Sequence, residues 1–153
     1  VRRDLPFMPD LKELVSTLNA MGWKTAIASG GFTYFSDYLK QQLNLHHAQS
    51  NTLEIIDGKL TGSYIGEIVD GNKKAEYLKE IADREGIDIS QTIAVGDGAN
   101  DLPMIAAAVS GAGLGVGYHP RPQLAQAANF SVRHNDLTAL LFAQGVKPKD
   151  WAC

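Results

Sequence analysis

Hydrophobic and polar positions alternate along this chain in blocks that predict helices and strands in turn. Residues 8–22 carry apolar side chains at helical spacing and end at Gly22, which predicts an amphipathic helix closed by a glycine. Residues 23–29, WKTAIAS, form a short apolar run that predicts a buried strand. The pattern of residues 32–44 then predicts a second helix.

The same alternation continues to the end of the chain. Two alternating runs flank Asp57-Gly58, which is a strong signal for a β-hairpin within residues 50–68. Further helices are predicted at 72–86, 100–109, 122–128 and 136–145, and further strands at 92–97, 111–118 and 130–132. Strands that alternate with helices predict an α/β fold with a Rossmann-like, mostly parallel sheet, helices on both faces, and a small β-hairpin.

Ligands of such sheets bind beyond the carboxyl ends of the strands. Ser29-Gly30-Gly31 follows a predicted strand, and its free backbone N–H groups and hydroxyl predict an anion cradle. A plain strand-to-helix turn is the alternative for this segment. The glycines in GLGVGYHP do not fit the spacing G-x-G-x-x-G, so we interpret them as a means of close packing rather than a dinucleotide loop.

The segment AVGDGANDLPMI is the sharpest chemical signal in the chain. Asp97, Asn100 and Asp101 crowd one turn after a predicted strand. Carboxylate oxygens are hard ligands that suit Mg²⁺, which binds through one or two acids together with phosphate oxygens and water. The alternative is a turn in which Asn100 or Asp101 caps the next helix.

Two lysines, Lys73 and Lys74, head a predicted helix, where a positive charge opposes the helix dipole. A conflict of this kind with a local rule is typical of functional positions. We expect one of the two lysines to serve the site and the other to be solvated.

Composition narrows the function classes. The 153 residues are 44% hydrophobic and 20% charged, which predicts one globular domain. A net charge of -3 argues against nucleic-acid partners, and no apolar run is long enough to cross a bilayer. The single cysteine, Cys153, excludes a disulfide framework within the chain and fits a cytoplasmic location.

SGGF, a lysine heading a helix, and GDGANDLPMI together resemble the second, third and fourth motifs of the haloacid dehalogenase superfamily. Residues 5–120 resemble the bacterial phosphoserine phosphatase family within it. This resemblance implies Mg²⁺-dependent hydrolysis of O-phosphoserine to serine and phosphate, in serine biosynthesis, through an aspartyl-phosphate.

The resemblance also implies a role for each matching residue. Ser29 and Gly30 would bind the phosphate, and Lys74, rather than Lys73, would neutralise the aspartyl-phosphate and the transition state. Asp97 would ligate Mg²⁺, Asn100 would contact the substrate phosphate, and Asp101 would support the metal site without touching the ion.

The chain departs from the family in one respect: it contains no Asp-x-Asp motif to supply the nucleophile. Asp4, Asp10 and Asp88 each lack an Asp two residues later, and the family's cap segment is absent. We therefore expect an incomplete domain over residues 1–153, in which the missing first-motif strand leaves two strands unpaired. The missing N-terminal segment would be a partner. The alternatives are a non-catalytic fragment that binds phosphate or Mg²⁺, and a phosphatase or phosphotransferase for another small phosphate monoester.

Overall fold

The computed structural model describes residues 6–8 and 10–151. The helices are α1 (Leu11–Ala20), α2 (Thr33–Leu43), α3 (Gly71–Glu85), α4 (Leu102–Ser110), α5 (Pro122–Ala127) and α6 (Ala139–Ala143). The strands are β1 (Ala26–Phe32), β2 (His47–Ile56), β3 (Lys59–Ile65), β4 (Ile93–Gly96), β5 (Leu114–Tyr118) and β6 (Phe130–Val132). Over this part of the chain, no helix has both the length and the apolar character needed to cross a membrane.

The chain forms two compact units, which we describe separately. The first unit is Val1–Val69 together with Val146–Cys153, and the second unit is Asp70–Gly145. The expectation of one incomplete domain over residues 1–153 stays a prediction.

The first unit is built on a three-stranded sheet in the order β1-β2-β3. β1 and β2 are parallel, with Ala26 opposite His47, and β2 and β3 are antiparallel. The hairpin turn lies at Asp57-Gly58, as predicted, and both residues have positive φ angles of 50° and 75°. That geometry belongs to the two-residue turns whose twist matches the flanking strands. Buried apolar side chains of this unit are Leu14, Val15, Leu43 and Val69.

Two strands of the first unit carry bulges. Ala28 pairs with Gln49 and Phe32 pairs with Asn51, so three residues of β1, 29–31, lie opposite the single residue Ser50 of β2. In β3, residues 61–63 lie in the same way opposite the single residue Glu54. We call these segments the β1 bulge and the β3 bulge. Such insertions re-aim side chains and interrupt strand pairing, and they are over-represented beside active sites.

The second unit contains a fully parallel sheet in the order β4-β5-β6. Its core is formed by Ala94, Ile105, Ala108 and Leu124. The alternating glycines of β5 allow close packing: a Cβ added at Gly115 would lie 2.7 Å from Val109 Cγ2, and one at Gly117 would lie 2.7 Å from Pro120 Cγ. The interpretation of these glycines as packing residues agrees with this geometry.

The α/β fold with parallel strands and helices is confirmed, and three details differ from the expectation. The strands form two three-stranded sheets instead of one. Among the described residues β1 and β4 each pair on one side only, which is the pattern expected for two strands left unpaired. β1 extends through Phe32, because the Ser29-Gly30-Gly31 segment is a bulge within the strand and not a loop after it. The last helix covers only Ala139–Ala143, since Asp136 accepts a hydrogen bond from the Thr138 N–H at 2.9 Å and holds a turn before it.

Candidate phosphate and metal site

The β1 bulge contains Ser29, Gly30 and Gly31, the residues predicted to form an anion cradle. Gly31 N–H donates to Ser29 Oγ at 3.0 Å, and both glycines of the bulge are exposed. Because Ser29 Oγ accepts this bond, its own proton remains available to donate to an external oxygen. The segment can therefore offer a hydroxyl donor on an exposed, bulged backbone, as an anion site requires.

Asn51 holds this bulge from behind, which the sequence analysis missed. Its Nδ2 donates to the Gly30 carbonyl at 2.9 Å, and its Oδ1 accepts from the Val69 N–H at 2.7 Å. Asn51 is only 6% exposed. The sequence does contain a signal for this residue, because asparagine is depleted in strands and Asn51 stands inside a predicted strand.

The helix α3 carries the two lysines, and the structure separates them. Lys74 is buried, and its Nζ donates to Asp101 Oδ1 at 2.7 Å. Lys73 Nζ instead pairs with Glu76 Oε2 at 3.0 Å on the helix surface. The helix begins after Asp70, whose side chain caps the Lys73 N–H at 2.8 Å. Lys74 is thus the lysine that is joined to the acidic turn.

Asp101 links Lys74 to the end of β4. Its second oxygen, Oδ2, accepts from the Asp97 N–H at 3.1 Å. Gly96 permits this arrangement, because a Cβ there would lie 2.4 Å from the Asp101 Cβ. The alternative that Asp101 or Asn100 caps the next helix is wrong, since no side chain caps α4 and the Asp101 carboxylate bonds to Lys74 and Asp97 instead.

The environment of Asp101 stabilises its charged form. Burial by itself raises the pKa of this carboxyl, and it is the largest single influence. The hydrogen bonds from Lys74 Nζ and the Asp97 N–H, together with the Lys74 charge, outweigh burial and lower the pKa below its ordinary value of 3.8. Asp101 is therefore an anion at neutral pH, and it holds the Lys74 side chain in place.

Asp97 and Asn100 direct exposed polar groups outward from the same turn. Both residues are exposed, and within residues 10–151 neither side chain has a hydrogen bond or ion pair. The Asp97 carbonyl accepts from the Arg121 N–H at 2.9 Å, which fixes the backbone beneath the carboxylate. One unengaged carboxylate of this kind suits Mg²⁺, which keeps several waters and takes few protein ligands. No cluster of three or more His, Cys, Asp or Glu residues poised for a metal occurs in the described ranges, so Asp97 fits as one ligand of a site that needs others.

The predicted site residues fall into two groups. Lys74, Asp97 and Asp101 are joined by hydrogen bonds within the second unit, and Asn100 lies in the same turn. Ser29 and Gly30 lie in the β1 bulge of the first unit. Asp4 and Cys153 lie outside the described residues.

The other two aspartates considered as nucleophiles have local roles. Asp10 is the residue before α1, with φ 61°, and Asp88 accepts from the Ser90 N–H at 2.9 Å in a short 3₁₀ turn. Asp88 follows α3 and not a strand, which agrees with its exclusion from the sequence.

Comparison with known proteins supports one family. A phosphoserine phosphatase of Vibrio cholerae is 59% identical over 133 residues, which is 87% of this chain and 39% of the relative. That of Haemophilus influenzae is 52% identical and matches 92% of this chain and 44% of the relative. The crystal structure of a probable phosphoserine phosphatase from Vibrio cholerae superposes with a TM-score of 0.84 at 54% identity, covering 94% of this chain and 46% of that one.

These comparisons set the extent of the match. The chain spans less than half the length of the two curated relatives named above. The family model of haloacid dehalogenase-like hydrolases matches residues 1–106, which include Ser29, Lys74, Asp97 and Asp101. This chain therefore belongs to the haloacid dehalogenase-like hydrolase family.

Proposed function

We propose that these residues form the phosphate- and metal-binding part of a Mg²⁺-dependent phosphoserine phosphatase, a phosphoric monoester hydrolase. The reaction is hydrolysis of O-phosphoserine to serine and phosphate, a step of serine biosynthesis. The observation that carries the proposal is the buried Lys74–Asp101 pair at 2.7 Å, joined to the backbone of Asp97. Phosphoserine phosphatases of two bacteria, at 59% and 52% identity, support the choice of substrate.

The contacts of each residue indicate its role in the proposed reaction. Lys74 gives one of its three donors to Asp101, so two N–H groups remain for phosphate oxygens. Its charge would stabilise negative charge that develops during transfer, and Asp101 keeps the amine oriented. Ser29 and the Gly30 backbone would hold the phosphate from the first unit, and Asn100 would add a contact.

Asp97 would ligate Mg²⁺ through its exposed carboxylate, while Asp101 supports the ligand by accepting the Asp97 N–H. When bound, the ion would neutralise charge on the phosphate oxygens. Asp101 has this supporting role because its oxygens accept hydrogen bonds from Lys74 and from the Asp97 N–H.

The nucleophile must come from a segment that these residues do not include. The 153 residues contain no Asp-x-Asp, and an aspartate from such a segment would accept the phosphoryl group and pass it to water. A solved phosphoserine phosphatase at 35% identity, with a TM-score of 0.82, is described as an analogue of a phospho-aspartyl intermediate, which supports this route. We also propose a cytoplasmic location and a small-molecule partner rather than nucleic acid, in line with the net charge of -3.

The test joins the N-terminal portion of the Vibrio cholerae relative, up to the start of the match, to this chain. Serine and phosphate release from O-phosphoserine is then measured with and without Mg²⁺. We expect turnover that needs Mg²⁺ and falls by about 10²–10³-fold in Lys74→Ala, because a charge-stabilising group is lost. Lys73→Ala is the matched control and should retain activity, since Lys73 pairs with Glu76 on the surface.

Two results would contradict the proposal. One is an inactive hybrid that is folded, in an assay where the Vibrio cholerae enzyme is active. The other is faster hydrolysis of a different phosphate monoester, such as glycerol phosphate, than of O-phosphoserine. The second result would favour the related phosphatases that act on other substrates.

A further inference from the structure

Asn51 is the buried polar side chain whose contacts lead directly to the cradle. It is 6% exposed and makes two hydrogen bonds of opposite polarity, so the orientation of its amide is fixed by its partners. Leaving the Val69 N–H unpaired would cost the full desolvation of a backbone group, because Val69 is buried. The amide therefore ties the cradle to Val69, the last residue of the first unit before Asp70.

The β1 bulge explains why this tie matters. Three residues face one in the neighbouring strand, so the bulge lacks regular ladder partners and needs another group to set its peptide planes. The Gly30 carbonyl accepts a hydrogen bond from Asn51 Nδ2, which holds this carbonyl against the side-chain amide of Asn51. A carbonyl oxygen turned toward a bound phosphate would repel it, whereas a fixed peptide plane keeps the oxygen engaged elsewhere.

The β3 bulge provides an internal comparison. In both bulges a backbone N–H donates to the hydroxyl oxygen two residues earlier. Ser63 N–H donates to Thr61 Oγ1 at 3.2 Å, and Gly31 N–H donates to Ser29 Oγ at 3.0 Å. Its bracing group is the half-buried Glu54, whose carboxylate accepts from Thr61 Oγ1 at 2.7 Å. The two bulges thus share the bond from a backbone N–H to a hydroxyl oxygen. A buried side-chain amide, that of Asn51, braces the β1 bulge and not the β3 bulge.

We propose that Asn51 is a positioning residue for phosphate binding: its side chain fixes the peptide planes of the β1 bulge so that Ser29 and the glycine backbone face an anion. This inference rests on the proposed function insofar as the cradle binds phosphate. Asn51 itself does not contact the substrate and acts through Gly30 and Val69.

The test measures two quantities on the 153-residue chain: backbone amide signals by NMR, and the affinity for inorganic phosphate. Asn51→Ala should shift the Gly31 amide and speed hydrogen exchange at Val69 by about tenfold, and leave the Ser63 amide unchanged. Phosphate affinity should fall by about tenfold. Asn51→Asp keeps the acceptor for Val69 and loses the donor to Gly30, so its Gly31 amide should shift while Val69 stays protected.

Thr25→Val is the matched control for a purely structural role. Thr25 is 8% exposed in the same unit, and its Oγ1 donates to Asn19 Oδ1 at 2.9 Å just before β1 begins. We expect it to lower the free energy of unfolding as Asn51→Ala does, without changing phosphate affinity.

Each outcome decides the matter. An unchanged Gly31 amide in both Asn51 variants overturns the positioning role, and so does an equal loss of phosphate affinity in Thr25→Val and Asn51→Ala. If Asn51→Ala does not fold, the near-isosteric Asn51→Asp supplies the amide readout. Absence of phosphate binding by the unaltered chain would count against the proposed function, while the amide shifts would still decide whether Asn51 fixes the bulge.

Discussion

Replacing Lys74 with Met should destabilise the second unit strongly, because it leaves a buried carboxylate without its countercharge. Asp101 would retain only neutral backbone donors, chiefly the Asp97 N–H at 3.1 Å. Removing one partner of a buried ion pair costs about 3–5 kcal/mol, which is a large share of the roughly 5–15 kcal/mol that stabilises a typical domain. Methionine keeps most of the lysine volume, so the loss reports the charge and not a cavity.

A second substitution isolates the cause. In Lys74→Met with Asp101→Asn, the buried charge is gone and the amide can still accept from the Asp97 N–H. We expect the double variant to be more stable than Lys74→Met alone by about 1–3 kcal/mol. Lys73→Met is the control, and loss of its partly exposed pair with Glu76 should cost at most about 1 kcal/mol.

The assay is urea unfolding followed by far-ultraviolet circular dichroism and by the amide NMR signals of Ile105 and Leu124, which lie in the core of the second unit. Both probes must agree before a free energy is derived. If Lys74→Met costs no more than Lys73→Met, Asp101 is satisfied without Lys74, and the reasoning from the buried pair is refuted. A double variant no more stable than Lys74→Met would show that lost packing, not unpaired charge, causes the effect.

Three further predictions concern other features. Asp97→Asn should weaken Mg²⁺ binding by about tenfold in calorimetric titration and change the unfolding free energy by less than about 0.5 kcal/mol. The change in stability is small because the side chain is exposed and has no partner within residues 10–151. A large loss of stability would contradict this prediction. Burial raises the pKa of Tyr77 above its ordinary value of 10.0, so the contribution of this phenol to stability is complete below pH 10.0 and is lost as the pH rises through the raised pKa. Tyr77→Phe should therefore flatten the decline of the urea midpoint at alkaline pH. An unaltered decline would refute the assignment. Gly58→Ala should destabilise the hairpin by about 1 kcal/mol, measured by thermal unfolding, since φ is 75° there, whereas Lys59→Ala at the neighbouring position should have little effect.

Much of the fold was predictable because its signals are local. The Asp57-Gly58 hairpin and the helix that ends at Gly86 depend on positive φ angles, which few residues other than glycine, asparagine and aspartate adopt. The division into two sheets is not local, since it depends on which strands meet. Strand order is set by tertiary packing that the hydrophobic pattern does not encode.

The site shows the same limit. The motif GDGAND indicated Asp97 and Asp101 as neighbours, but the bond from Lys74 to Asp101 joins residues that are 27 positions apart. The pattern left open whether Lys73 or Lys74 faces the acids, and the helix phase of α3 decides it. Asn51 escaped notice because its role depends on an irregular strand register, and such bulges leave no periodic signature.

The β3 bulge has a consequence for how this chain behaves at high concentration. β3 is the outer strand of its sheet, all seven of its residues are exposed, and the exposed side chains include Leu60, Tyr64 and Ile65. A flat edge with that composition is a template on which further copies add as fibrils. The kink at residues 61–63 breaks the edge into two short stretches, and each is too short to seed such growth. Deleting Gly62 and Ser63 to regularise the hairpin would therefore remove a safeguard against fibril formation.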